Sequence, residues 1–160
     1  MTPRHYIGID PGLHCGWAVL DRDGNRVASG TWGLRGNRLE GSGMYLVRLA
    51  AHFSDLLQTF KDPCVAIEEV AKHKGVDAAH VYGAITGMLT AQCERLNTPC
   101  CGAPVATVKR HATGKGNAGK PLMIETAQHR WRESSPDDWT PDDNEADALW
   151  IADALLDGLL

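Results

Sequence analysis

No apolar run in the chain approaches the ~18–20 residues that a membrane-crossing helix needs, which excludes a helical spanning protein. The opening residues, MTPRHYIGID, lack the apolar core of a signal peptide, so a cytoplasmic protein is expected. Cysteine pairs of the CxxC kind are missing as well. Cys15, Cys64, Cys93, Cys100 and Cys101 are odd in number, which argues against a zinc site and against a secreted disulfide framework. Buried or free thiols in a reducing cytosol are the expectation. Internal repeats and low-complexity tracts are absent too. What remains is a chain of 160 residues, 43% hydrophobic and 22% charged, ordinary for a globular protein. One domain spanning residues 1–160 is expected, large enough to bury roughly 70% of the surface of its unfolded chain.

Charge is unevenly spread. The net charge of −4 argues at first against nucleic acid. Residues 1–102 balance, with ten bases and ten acids. Residues 103–132 carry Lys109, Arg110, Lys115, Lys120, Arg130 and Arg132 against Glu125 alone. Residues 133–160 carry nine acids and no Lys or Arg. A local basic segment can bind phosphate whatever the total charge. The acidic end is either a solvated helix face or a place that holds cations.

Residues 5–9 (HYIGI) alternate as a strand and run into the turn Asp10-Pro11-Gly12. Residues 16–20 and 27–32 read as two more strands around the Asp-Gly turn at 23–24, so three antiparallel strands open the chain. Residues 33–43 form a Gly- and Arg-rich loop. Helical spacing of Leu46, Leu49, Phe53, Leu56 and Leu57 predicts a helix over 44–60. Residues 64–67 (CVAI) predict a strand buried on both faces, ending in Glu68-Glu69. Residues 77–96 predict a helix rich in small residues. A turn is expected at 97–104, a fifth strand at 104–108 (PVATV), a glycine-containing loop at 111–119, and helices at 120–132 and 143–156.

The acids fall where charges are expensive. Asp10 follows a buried strand, and so does Glu68. Only one of Glu68 and Glu69 can face Asp10, because neighbouring strand residues point opposite ways. Asp143 and Asp147 share one helix face at i,i+4, with Asn144 beside them. A carboxylate after an apolar strand needs compensation, and a hard divalent cation such as Mg²⁺, which takes oxygen ligands, supplies it. Taken singly, each residue has a plainer reading: Asp10 as a turn residue, Glu68 as a solvated strand end, Asp142 or Asp143 as a helix cap, the lysines as solvated surface.

Together the segments IGIDPG (7–12), GWAVLD (16–21), AIEEV (66–70), VK (108–109), GKGNAGK (114–120) and EADALWIA (145–152) resemble the RuvC Holliday-junction resolvases, in that family's order and over nearly the whole chain. The resemblance implies an α/β, RNase H-like fold: a five-stranded mixed sheet, the first three strands antiparallel, flanked by helices. It implies Asp10, Glu68 and Asp147 as catalytic acids, with Asp143 or Asn144 completing the metal shell and Lys120 beside the phosphate. The family usually has Asp or His where this chain has Asn144, and Asp143 is the favoured replacement. Lys72, Lys74, Lys109, Arg110, His111 and Lys115 are expected to contact DNA along with Lys120, although His111 reads equally as an ordinary loop residue. Where cellular members carry an aromatic wedge, this chain has Ala71. That difference and the acidic total look more like phage-encoded members, in a bacterial cytosol or a phage-infected cell.

The activity so implied is structure-selective cleavage of Holliday junctions and other branched DNA. It proceeds by paired nicks that use two Mg²⁺ ions, with Mn²⁺ as a substitute, and leave 5′-phosphate and 3′-hydroxyl ends. Paired nicks on a two-fold substrate imply a homodimer, with the small-residue helix at 77–96 as its interface. Packing of that helix within the monomer is the alternative. Two rival functions stay open. One is a non-catalytic branched-DNA-binding protein of the same fold, supported by Asn144. The other is an actin-like phosphotransferase lobe, suggested by IGIDPG, although such proteins need two lobes around the nucleotide.

Overall fold

The computed structural model describes residues 3–71 and 75–160. Its elements are β1 (His5–Asp10), β2 (His14–Leu20), β3 (Arg26–Gly33), α1 (Met44–Thr59), β4 (Pro63–Glu69), α2 (Val76–Arg95), β5 (Cys100–Pro104), α3 (Val105–Thr113), α4 (Lys120–Arg130) and α5 (Asp143–Leu156). A single 3-10 turn, Arg132–Ser134, follows α4. The strands form one sheet in the order β3-β2-β1-β4-β5. β1 and β3 run antiparallel to β2, while β4 runs parallel to β1 and β5 to β4. The C-terminal ends of β1, β3, β4 and β5 therefore all reach the same end of the sheet, and the loops that leave there share one surface.

Alternation along β1 divides its side chains between two cores. Ile7 and Ile9 pack with Leu49, Phe53, Ile85 and Leu89 under α1 and α2. The opposite face of the sheet meets α5, with Leu149, Ile151, Met123 and Trp131 in the second core. Here α5 comes close enough that a Cβ on Gly8 would overlap the Ala148 carbonyl oxygen, and one on Gly16 the Asn144 carbonyl oxygen. Two strand glycines opposite an alanine-rich helix thus set the depth at which α5 lies, and with it the place of Asp147. Asp142 caps the helix by accepting from the Glu145 amide at 2.8 Å and from Thr31 Oγ1 at 2.8 Å.

The expected strand at 104–108 is not formed. The strand is Cys100–Pro104, and Val105–Thr113 is helical. Pro104 holds extended geometry at the helix N-cap, which ends the strand and starts the helix. β-branched Val105, Thr107 and Val108 suggest a strand, but the segment is helical and buries Val108 in the core. The turn expected over 97–104 is accordingly shorter and centres on Asn97, which takes φ 50°. The expected loop at 111–119 begins only at Gly114, and α4 stops at Arg130 instead of 132.

On α2, Ile85, Leu89, Gln92 and Cys93 face inward. Gly83 and Gly87 lie on the outer side, with nothing within 4 Å of the position a Cβ would take.

Candidate active site

Asp10 ends β1 because Pro11 cannot continue the ladder. Ile9 pairs with Ile67 across the parallel β1–β4 ladder, so one residue further on Asp10 and Glu68 stand side by side on the same face. Glu69 points the other way and lies against Gly102. α5 crosses over β1 and delivers Asp147 to the same place. Asp10 and Glu68 share a hydrogen bond. Burial, then the neighbouring Glu68 and Asp147 charges, hold the Asp10 carboxyl well above the usual range. Glu68 is pushed up to about 7 by burial and by Asp147. Asp147 is pushed up to about 6, chiefly by burial, with Lys109 opposing the rise.

Three half-buried carboxyls that resist ionisation together are a donor set short of positive charge. Hard oxygen donors from three separate elements, with Asp143 and the Asn144 amide at the start of α5 nearby, fit a divalent cation that prefers oxygen and retains water. The described residues therefore suit the metal that the sequence suggests.

Basic groups approach from one side. Lys109, at the middle of α3, lowers the carboxyl pKa of both Glu68 and Asp147. Lys120 opens α4 and forms an ion pair with Asp143. That contact holds the Asp143 carboxyl below its usual range and raises the Lys120 ammonium. Asp143 is thus engaged with Lys120, while Asp147, one turn on, joins Asp10 and Glu68. Lys115 is exposed in the loop after α3, where Thr113 Oγ1 accepts from its backbone amide at 3.2 Å. Arg110 is exposed, with its guanidinium lying against Gly116. Lys72 and Lys74 lie outside the described residues, and Ala71 just before them is exposed.

His111 is not a loop residue. It sits on α3 with Nε2 at 2.9 Å from Asp153 Oδ2 and 3.7 Å from Asp157 Oδ2, its ring edge-on to Trp150. Arg130 reaches the other Asp153 oxygen at 3.5 Å. This clamp ties α3 and α4 to α5, fixing Lys109 relative to Asp147, and sequence reasoning missed it. The one available signal was Asp153, an acid inside the apolar run ALWIADALL that needs a buried partner.

Comparison with known proteins places the chain in a family. The family model described as crossover junction endodeoxyribonuclease RuvC matches residues 6–153. The protein of that name from Polynucleobacter asymbioticus is 32% identical, over 92% of this chain and 85% of its own length. The one from Sorangium cellulosum is 29% identical, over 91% and 80%. Among solved structures, T. thermophilus RuvC in complex with Holliday junction substrate superimposes with a TM-score of 0.73 at 22% identity, covering 91% of this chain and 88% of that one. The yeast mitochondrial Holliday junction resolvase gives 0.63 at 14% identity, covering 96% and 80%. Strand order, helix placement and these likenesses agree on an RNase H-like fold. On a family match spanning nearly its whole length, the chain belongs to the crossover junction endodeoxyribonuclease RuvC family.

Proposed function

We propose that the protein is a metal-dependent endonuclease that resolves Holliday junctions, and cuts other branched DNA, by paired nicks leaving 5′-phosphate and 3′-hydroxyl ends. One observation carries the reading: Asp10, Glu68 and Asp147 meet at one end of the sheet with Lys109 and Lys120 beside them. Acids to hold cations next to bases to hold phosphate are what phosphodiester hydrolysis requires.

Asp10, Glu68 and Asp147, with Asp143 or Asn144 completing the set, would hold the Mg²⁺ ions, two in this reading. Bound there, they would supply an activated water and stabilisation of the leaving 3′ oxygen. Lys120, paired with Asp143, would turn to the scissile phosphate when DNA arrives. Lys109 keeps Glu68 and Asp147 nearer their ionised forms. Lys115 and Arg110 sit further along the backbone path. His111 is committed to Asp153 and does not serve as a phosphate contact.

A two-fold junction needs two such sites, so a homodimer is the working form. The open Gly83 and Gly87 face of α2 suits close approach of a second helix. Alanine at 71 has no π-face to stack on an unpaired base, so cleavage should follow branch structure with a relaxed sequence preference.

A four-way junction, a fork and a plain duplex, each with Mg²⁺ and with EDTA, test the reading. Cleavage of the branched substrates alone, and only with metal, is expected. Binding without cleavage would leave a branched-DNA-binding protein instead. On a junction with a mobile core, cuts should scatter around the branch, and cutting confined to one short motif would refute the relaxed preference.

A further inference from the structure

The loop between β3 and α1 leaves the sheet at the same end as Asp10 and Glu68, yet the site described above makes no use of it. Its base is anchored firmly. Leu34 is fully buried, and its amide donates to the Leu13 carbonyl at 2.8 Å, beside the turn that follows Asp10. Its tip is built just as definitely. The Leu39 amide donates to Asn37 Oδ1 at 2.8 Å, and the Glu40 amide to the Asn37 carbonyl at 3.2 Å. Arg48 of α1 grips both Glu40 oxygens at 2.6 Å, and Asn37 Nδ2 donates to Glu40 Oε1 at 3.2 Å. Gly36 lies directly against the Glu40 carboxylate.

This scaffold presents Leu39 to solvent at 96% exposure, with exposed Arg35 and Arg38 just before it in the chain. A single exposed leucine is ordinary. A leucine held out on an ordered turn directly after two arginines, at the end of the sheet that carries the acids, is a different arrangement. β3 lies two strands from β1, about 10 Å at ~4.8 Å per strand. Lys109 lies on α3, which directly follows β5, at the opposite edge of the sheet from β3. The Arg35–Arg38 loop and Lys109 therefore stand on opposite sides of the acid cluster, and a nucleic acid seated on Asp10 and Glu68 would reach both.

We infer that Leu39 is an apolar wedge that enters the opened base stack at a DNA branch point, while Arg35 and Arg38 hold the adjoining phosphates. The inference rests on the nuclease reading above and adds a second edge to its substrate surface. Apolar side chains of this kind part base steps in other DNA-bound proteins, and arginines beside them neutralise the backbone. Leu39 is the large apolar side chain that stands most fully in water at this end of the described residues.

The test is binding in EDTA to a four-way junction carrying 2-aminopurine beside the branch, with linear duplex as control. Leu39→Ala removes a side chain that packs on nothing in the protein, so the melting temperature should stay within a degree or two of wild type. Wild type should brighten the branch-point fluorophore. Leu39→Ala should lose most of that signal and roughly tenfold in junction affinity, with duplex affinity unchanged. Arg38→Ala should weaken both substrates and lower the log–log salt slope by about one unit. Leu39→Ala that keeps wild-type unstacking and affinity, in a protein that still prefers and cuts junctions, overturns the wedge and leaves the nuclease reading intact. Wild type that binds junction and duplex alike overturns both.

Discussion

Replacing Asp10 by asparagine should damage the activity and strengthen the metal-free fold. A carboxyl whose folded pKa is raised contributes stability that is present below its unfolded pKa, near 4, and is lost as pH rises through the folded value. Glu68 at about 7 and Asp147 at about 6 place that loss between roughly pH 4 and 7. At ~1.4 kcal/mol per pKa unit, the rise of Glu68 alone corresponds to on the order of 3 kcal/mol. The acids share their repulsion, so the individual losses do not simply add. Asparagine at position 10 keeps the size and removes one charge from between Glu68 and Asp147. Thermal melts of protein in EDTA, taken from pH 5 to pH 8, check this. Wild type should lose stability across the range, and Asp10→Asn should lose less, ending more stable at pH 8 by about 1–3 kcal/mol. At ~2–4 °C per kcal/mol for a chain of this size, the gap is several degrees. Mg²⁺ at pH 8 should raise the wild-type midpoint and leave the variant almost unmoved. A variant that melts below wild type at pH 8 in EDTA would refute the idea that Asp10 sits among mutually repelling carboxyls.

Two further changes probe the surroundings. Lys120→Ala removes the partner of Asp143 and one phosphate contact, so cleavage should weaken and the log–log salt slope of junction binding should fall by about one unit, as read by titrations at several salt concentrations. Gly16→Ala drives a methyl group into the Asn144 carbonyl oxygen. Urea unfolding should show a loss of at least ~1–3 kcal/mol, as for other overpacked sites, and cleavage should fall with it because α5 carries Asp147.

Much of this arrangement was legible in the residues. Period-two alternation and the Asp-Gly turn marked the three opening strands, and the Glu68-Glu69 pair had to divide between faces, as it does. Helix α5 could be bounded at both ends because Asp142 caps it and its apolar run is continuous. Position 104–108 misled because β-branched residues favour strands only when a sheet position is available, and here Cys100–Pro104 takes that position. His111 was ambiguous because its partner Asp153 is 42 residues away, beyond the reach of local pattern. The engagement of Asp143 with Lys120 is likewise a long-range fact, 23 residues apart in the chain. The Leu39 loop read only as Gly- and Arg-rich, since the bonds that shape its tip arise from Asn37, Glu40 and Arg48 acting together.

The most direct measurement of the central claim is strand cleavage of a labelled four-way junction by wild type, Asp10→Asn and Glu68→Gln, with Mg²⁺ and with EDTA, followed by ligation of the products. Wild type with Mg²⁺ should give symmetric paired nicks that ligase reseals, showing 5′-phosphate and 3′-hydroxyl ends. Both variants should bind the junction and lose cleavage by ~10²-fold or more, as for other lost metal ligands. Cleavage that persists in EDTA, or a variant that keeps more than about a tenth of wild-type nicking against that expected loss, would contradict the assignment of these acids to the metal.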